Sequence, residues 1–341
     1  MKVTIKSAEE IEKMRRAGEI LAAVHQNLAR EIKPGMSTLD IDRLGEEMIR
    51  GYGCIPSFKN YCGYPASICV SVNEEVVHGI PTDERIIKEG DIVSLDAGVI
   101  YEGYHSDAAR TVAVGEVSEE AKLLIERTRQ SFIEGMKKAV AGNHLYDISA
   151  AIGDYANQFG YGVVEDLCGH GIGSHLHEEP EIPNFRQSRF RRGIKLKPGM
   201  TLAVEPMINV GTKDVLWMDD EWTVVTEDKS LSAHYENTIL ITDGKPEILS
   251  LTEEEKKSLM HDPLTQPFTE EEKKLQRQIA WTYQPSTTAW HTVEVVDFPK
   301  TVLTAQPGCR VSVEMELPAK QLFVTPKGEW VVDFGQNLTG C

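Results

Sequence analysis

Five acidic or histidine residues stand in apolar or glycine-rich contexts where they could do chemistry. Asp96 closes the run Asp91-Ile92-Val93-Ser94-Leu95-Asp96-Ala97-Gly98, and Asp107 sits in Gly103-Tyr104-His105-Ser106-Asp107-Ala108-Ala109-Arg110-Thr111. His170 lies in Cys168-Gly169-His170-Gly171-Ile172-Gly173, Glu205 in Leu202-Ala203-Val204-Glu205-Pro206-Met207, and Glu236 in Ser232-Ala233-His234-Tyr235-Glu236-Asn237-Thr238. A charge on a strand that faces a core is expensive unless it is paired or holds a metal. Four carboxylates converging on one cavity would repel, and a pair of divalent cations would resolve that conflict. Oxygen-rich ligation with one imidazole suits Mn, Co, Fe or Zn at a two-metal hydrolytic centre. Taken singly, each acid also reads as a solvated turn residue or half of a structural ion pair, and His170 as a turn histidine. The glycines beside His170 remove Cβ bulk and would let backbone and substrate approach closely.

The elements that must position these residues can be read from pattern. Ser7-Ala8-Glu9-Glu10 is a capping box, in which the Ser oxygen and the Glu carboxylate satisfy orphan N–H groups of a helix start. Ile11, Met14, Gly18, Leu21, Val24 and Leu28 then follow at three- and four-residue spacings as one buried stripe. That helix stops near Lys33-Pro34-Gly35, and a second runs from about Thr38 to Arg50. Gly35, Asp40, Ile41, Tyr52 and Gly53 recur as Gly142, Asp147, Ile148, Phe159 and Gly160, each 107 positions later. Strand-like stretches follow both sets, so the pattern predicts a duplicated helix–helix–strand unit. Strands are expected at 68–72, 92–96, 108–114, 163–167, 201–205, 222–226 and 238–242, with a tight hairpin at 97–103. Helices mixed with close hairpins predict an α+β fold with a mostly antiparallel sheet flanked by helices.

Composition narrows the class of function. Of 341 residues, 36 are Lys or Arg and 53 are Asp or Glu, a net charge of −17. That argues against sequence-specific nucleic-acid binding or an anionic membrane surface, which need a dense cationic face. Hydrophobic residues make up 41%, enough for a globular core. Met1-Lys2-Val3-Thr4-Ile5-Lys6-Ser7 lacks the apolar core of a signal peptide, and no apolar run approaches the ~20 residues of a membrane span. Six cysteines with no CxxC pair point to neither a disulfide scaffold nor a cysteine zinc site. The cytoplasm is the expected location. Arg186, Arg189, Arg191, Arg192, Lys195 and Lys197 form a basic cluster that could touch ribosomal RNA transiently, although a solvated loop is the favoured account.

Residues 1–250 resemble the bacterial type I methionine aminopeptidases, of the "pita-bread" metallopeptidase family M24. The resemblance runs through Val76-Val77-His78-Gly79-Ile80-Pro81, Ser94-Leu95-Asp96-Ala97-Gly98, Ser106-Asp107-Ala108-Ala109-Arg110-Thr111, Gly169-His170-Gly171-Ile172-Gly173, His177-Glu178-Glu179-Pro180, Val204-Glu205-Pro206 and Trp222-Thr223-Val224-Val225-Thr226. It implies a pseudo-two-fold α+β fold, in agreement with the duplication, and removal of the initiator Met from nascent chains whose second residue is small. It further implies that Asp96, Asp107, His170, Glu205 and Glu236 hold two divalent cations (Co, Mn, Fe or Zn). Asp107 and Glu236 would bridge the pair, Asp96 would serve one ion, and His170 with Glu205 the other. A water made acidic by both cations would attack the peptide carbonyl, with Glu205 also carrying its proton to the leaving amine. By the same resemblance, His177 donates to the developing oxyanion and His78 contacts the scissile amide or the next residue.

The family's Met pocket maps onto Phe58, Tyr61, Tyr64, Cys69, Leu176 and Trp222, whose aromatic and sulfur-bearing walls suit a thioether. Without the family, these six read as core packing and the two histidines as surface or core residues, as His105, His144 and His175 still do. The eukaryotic zinc extension, the helical insertion of type II enzymes and the leading domain of prolidases and aminopeptidase P are all missing from the pattern. The alternatives are a related Xaa-Pro metallopeptidase and a non-catalytic peptide- or carbohydrate-binding protein.

Beyond residue 250 the character changes. Leu251-Thr252-Glu253-Glu254-Glu255-Lys256-Lys257 recurs as Phe268-Thr269-Glu270-Glu271-Glu272-Lys273-Lys274, two helix starts in a charged, Pro-containing linker over 251–287. Residues 288–341 read as a small β-rich extension. From Thr288 through Asp333-Phe334-Gly335-Gln336-Asn337, the chain is similar to a stretch of bacterial α-L-rhamnosidases that belongs to a non-catalytic β-sandwich. No glycosidase activity is expected of it.

Overall fold

The computed structural model describes residues 3–188, 191–261, 321–324 and 330–333. Contacts divide the chain into Met1–Pro267 and Phe268–Cys341. In the second unit, the described residues form one antiparallel pair, Gln321–Val324 with Trp330–Asp333. The remainder of the rhamnosidase-like stretch, and the helix start at Phe268, lie outside the described residues.

The first unit begins with helix α1 (Ala8–Glu31), capped as the sequence predicts. Ser7 Oγ accepts from Glu10 N–H at 3.3 Å, and the Glu10 carboxylate accepts from Ser7 N–H at 2.6 Å. Met14, Gly18, Leu21, Val24 and Leu28 are buried along one stripe, with Ile11 packed at its edge. Helix α2 spans Thr38–Gly51, α3 Glu119–Met136, α4 Leu145–Asn157 and α5 Glu253–His261. The last begins in its own capping box, where Thr252 and Glu255 exchange bonds of 2.7 and 3.1 Å.

The duplication holds at the level of single hydrogen bonds. Ser37 N–H donates to Asp40 at 2.9 Å before α2, and His144 N–H donates to Asp147 at 2.8 Å before α4. Gly35 N–H reaches Ile87 O at 2.9 Å, and Gly142 N–H reaches Leu196 O at 3.0 Å. Both glycines sit at φ near +95°, a turn conformation that L side chains resist. Ile41 and Ile148 are each fully buried, and each anchors a different apolar cluster beneath its own half of the molecule.

Every strand pairing among the described residues is antiparallel. One half carries a four-stranded sheet of Ile55–Pro56, Ile68–Val72, Ile92–Tyr101 and Tyr104–Ala113. The other carries five strands in the order Glu247–Ile248, Asn237–Leu240, Thr201–Val204, Gly169–Gly171, Glu178–Ile182. The strand expected at 92–96 continues to Tyr101, because Ala97–Tyr101 pair with Tyr104–Ala108 around a two-residue Glu102-Gly103 turn. Asp96 is therefore mid-strand. The strand expected at 163–167 reduces to Gly162–Val163, beyond which Val164 makes one further bond to Met207 O.

The two sheets are joined where Ala109 and Glu236 exchange backbone bonds of 3.0 and 3.3 Å. Thr238 Oγ1 clamps the join, accepting from Asp107 N–H at 2.8 Å and donating to Asp107 O at 2.9 Å. Arg110 ties it from behind, donating to Glu236 O (2.5 Å), Asn237 Oδ1 (2.7 Å) and Ser250 O (3.0 Å) while stacking over Tyr235. Arg110→Met would strand these acceptors beneath the sheet. We expect a loss of about 3 kcal/mol in urea unfolding, with little change in the m-value; a loss below about 1 kcal/mol would show that the seam holds without it.

Candidate active site and metal centre

The join of the two sheets sets the site. Asp96 and Asp107 are diagonal neighbours on adjacent strands, since Asp107 faces Gly98, two residues beyond Asp96. Same-face diagonals of this kind lie within reach of long side chains. Across the seam His170 pairs with Ala203, two residues before Glu205, and Asn237 pairs with Val204, which sets Glu236 beside Glu205. All thirteen site residues expected from the sequence line one cavity of about 280 Å³. They are Phe58, Tyr61, Tyr64, Cys69, His78, Asp96, Asp107, His170, Leu176, His177, Glu205, Trp222 and Glu236.

Ligand atoms of Asp107, His170 and Glu236 all lie within 4.8 Å of one another. His170 Nε2 is 3.9 Å from Asp107 Oδ2 and 3.8 Å from Glu205 Oε1. Asp96, Asp107 and Glu236 each keep a buried carboxylate oxygen without any hydrogen-bond partner. The protein has gathered more acceptors here than it has supplied donors. Burial pushes the Asp96 carboxyl up to about 7. Burial first, then repulsion from neighbouring carboxylates, holds Asp107, Glu205 and Glu236 well above the usual carboxylate range.

The histidine is prepared in the opposite sense. His170 Nδ1 lies 2.9 Å from Gly171 O. A proton held there leaves the Nε2 lone pair free toward the carboxylates, the tautomer a metal ligand needs. Burial lowers its pKa to about 3, so the ring is neutral at physiological pH. Bonds of ~2.0–2.2 Å to a shared cation place adjacent ligand atoms roughly 3.0–3.6 Å apart, so side-chain shifts of a few tenths of an ångström would close these atoms around an ion. The donor set fits a divalent metal.

Of the two roles expected of the flanking glycines, room for neighbouring backbone is the one their contacts account for. A Cβ on Gly169 would meet Ala203 O at 2.4 Å, and one on Gly171 would meet Glu179 O at 2.1 Å. They admit neighbouring backbone. Substrate approach is not their constraint.

The remaining histidines and aromatic residues form the cavity mouth and wall. His177 packs edge-on against His170, with ring centroids 4.2 Å apart, and its Nδ1 lies 2.7 Å from the Tyr61 hydroxyl. A Tyr61 O–H donating to Nδ1 fixes the proton of the neutral ring on Nε2. Burial lowers the pKa of His177, and lowers that of His78 to about 4. His78 takes a left-handed backbone, φ 60°, that costs a non-glycine residue about 1–2 kcal/mol. Tyr64 and Trp222 meet edge to face at 5.1 Å, and the Tyr64 hydroxyl donates to Gly79 O at 2.9 Å. Asp220 fixes the start of the Trp222 segment by accepting from Trp222 N–H at 2.9 Å and from Thr223 N–H at 2.8 Å.

Sequence reasoning missed three contributors. Cys62 lines the cavity mouth, flagged only by its place between Tyr61 and Tyr64. His234 is fully buried with Nε2 3.7 Å from Glu205 Oε2. Its position two residues before Glu236 on a strand was the available signal. Lys6 and Glu178 form a buried 2.7 Å ion pair directly beside His177, and neither was singled out. Of the basic cluster, Arg186 is engaged with Asp154, Arg189 lies outside the described residues, and the others are exposed.

A sequence profile of metallopeptidase family M24 matches residues 12–243. The methionine aminopeptidase of Clostridium acetobutylicum is 55% identical over 251 residues, covering 74% of this chain and all of that protein. The crystal structure of methionine aminopeptidase from Thermotoga maritima superposes with a TM-score of 0.71 at 43% identity, over 73% of this chain and all of that one. The Xaa-Pro dipeptidase from Bacillus anthracis is more distant, with a TM-score of 0.58 at 28% identity over 72% of this chain and 61% of its own.

The raised carboxylate pKa values fix a pH dependence. A carboxyl raised from about 4 to about 7 on folding favours the folded state at low pH. That contribution is lost as pH rises from about 4 through 7, where the buried group must ionise. Metal-free protein should therefore lose stability across this window, and Mn(II) should restore it with proton release. Thermal unfolding with and without Mn(II) checks this: the stabilisation should be larger at pH 8 than at pH 5, and an equal or reversed effect contradicts it.

Proposed function

We infer the reaction from one premise: the chain belongs to metallopeptidase family M24, and within it to the methionine aminopeptidases. It is a metal-dependent hydrolase that removes N-terminal methionine from polypeptides. We further assign the metal site to Asp96, Asp107, His170, Glu205 and Glu236, holding two divalent cations of the Co, Mn, Fe or Zn class. The observation that carries this assignment is the set of buried carboxylate oxygens with no donors. A non-catalytic binding protein would leave that repulsion without a purpose.

Bound cations would supply Lewis acidity at the scissile carbonyl and lower the pKa of a water beside it. The chain's own residues do the rest. Tyr64, Trp222, Cys69, Phe58, Leu176 and Tyr61 enclose the methionine side chain with polarisable surface. Gly98 brings Phe58 close, since a Cβ there would sit 3.0 Å from its ring. His177 presents its Nε2–H to the carbonyl oxygen as charge develops, with Tyr61 holding the tautomer. His78, neutral at pH 7, sits against Trp222 where the scissile amide or the next residue leaves the pocket. A Glu205 carboxylate oxygen takes the proton of the attacking water and delivers it to the leaving amine.

The substrates are nascent chains with a small residue after Met, and the site of action is the cytoplasm, where such termini arise. No helix among the described residues is long and apolar enough to cross a membrane. The domain reading keeps the chemistry within residues 1–250, leaving the 251–287 linker and the rhamnosidase-like 288–341 segment without a part in it.

Mn(II)-, Co(II)-, Fe(II)- or Zn(II)-loaded protein should release Met from Met-Ala-Ser and far less from Met-Lys-Ser; no release with any of the four contradicts the reading. His177→Ala should cut kcat by about 10²–10³ with a smaller change in KM. Deleting residues 268–341 should leave kcat/KM within about threefold, as for an independent unit. A larger loss would show the tail to be integrated.

A further inference from the structure

One surface feature is unused by this chemistry. Leu216, Trp217 and Met218 are consecutive and each about half exposed, at 50%, 51% and 50%. They lie on Val215–Trp217, the edge strand of a three-stranded sheet with Val224–Thr226 and Glu75–Val77. Successive strand residues point to opposite faces, so exposure of both Leu216 and Trp217 means this edge strand is open on both faces, while its partner Val224–Thr226 packs into the body. Contiguous exposed apolar groups of this kind mark interaction sites.

The arm is continuous with the cavity. Trp217 pairs with Val224, two residues from the cavity-lining Trp222, and Met218 N–H donates to Thr223 O at 2.9 Å. At about 3.3 Å per residue, Trp217 and Leu216 lie roughly 7–10 Å along the hairpin from Trp222 in the cavity wall. An extended peptide whose first side chain fills the cavity reaches that distance at roughly its third to fifth residue. The arm is also acidic. Asp219 and Glu221 are exposed, and their carboxylates have no partner among the described residues. Lys213, which precedes the strand at its other end, is paired with Glu165 at 2.7 Å.

We propose that the Val215–Glu221 arm docks the downstream segment of the substrate and favours chains bearing Lys or Arg roughly three to five residues after the N-terminus. An aliphatic stem or cation packs on the Trp217 face while Asp219 and Glu221 meet the charge. This proposal rests on the aminopeptidase reading above.

The test compares kcat/KM for Met-Ala-Ser, Met-Ala-Ser-Lys-Lys-Ala and Met-Ala-Ser-Glu-Glu-Ala with metal-loaded full-length protein. The Lys peptide should exceed the Glu peptide by about tenfold at low salt, and the ratio should fall toward one at 0.5 M NaCl. It should also collapse in Asp219→Asn/Glu221→Gln, while Trp217→Ser lowers both hexapeptides relative to the tripeptide. Equal rates for the two hexapeptides overturn the docking proposal, and tripeptide hydrolysis in the same assay shows that the activity reading survives. A ratio that persists in the double variant assigns the preference to the protein's overall negative field and overturns it too. Equal rates together with a dimer in sedimentation that Trp217→Ser abolishes would give the arm to a second copy of the chain. Failure to cleave any of the three peptides removes the activity reading and this proposal with it.

Discussion

Most of this structure follows from one electrostatic conflict. Asp96, Asp107, Glu205 and Glu236 are drawn together by strand pairing, out of bulk water, and the first two and Glu236 each keep a carboxylate oxygen that no donor answers. Burial raises the pKa of all four, and repulsion from neighbouring carboxylates adds to it for Asp107, Glu205 and Glu236. The fold holds this arrangement by spending backbone bonds at the seam, where Ala109, Glu236, Thr238 and Arg110 lock the two half-sheets together. Strong cross-seam bonding is what keeps like charges from prising the halves apart. A divalent cation then turns the repulsion into affinity, so metal and fold stabilise the same geometry.

The surrounding residues complete that logic. His170 is neutral, with its lone pair directed toward the carboxylates by a bond on the far nitrogen. His177 is neutral with its proton directed the other way, set by Tyr61. Two adjacent imidazoles of the same protonation state thus differ in which nitrogen carries the proton. On the proposed function, that difference suits one to hold a metal and the other to donate. Lys6 and Glu178 fix the backbone next to His177 from a segment at the opposite end of the chain, tying residue 6 to the cavity rim.

Much of this was legible in the sequence, for physical reasons. The helices at 8–31 and 38–51 announce themselves by capping boxes and periodicity, which are local. The 107-residue echo carried the pseudo-symmetry, and the structure repeats it in the capping bonds of Asp40 and Asp147. The five charged residues in apolar settings were visible as anomalies, but their convergence depended on long-range pairing that no local pattern contains. Family resemblance supplied it. His234 was passed over because a lone strand histidine looks like any core residue until Glu205 is seen 3.7 Å away. The length of the strand through Asp96 was underestimated because the hairpin residues 97–101 read as turn before their partners are known. The glycines beside His170 were read as making room for backbone and substrate, and the close neighbours are carbonyls of adjoining strands.

The central claim is that the buried carboxylate cluster is a two-cation site. Anomalous diffraction from crystals grown with Mn(II) tests it most directly. The account predicts two peaks about 3.5 Å apart, bounded by Asp96, Asp107, His170, Glu205 and Glu236. No anomalous density in that cavity, with Mn(II) bound elsewhere, would contradict it.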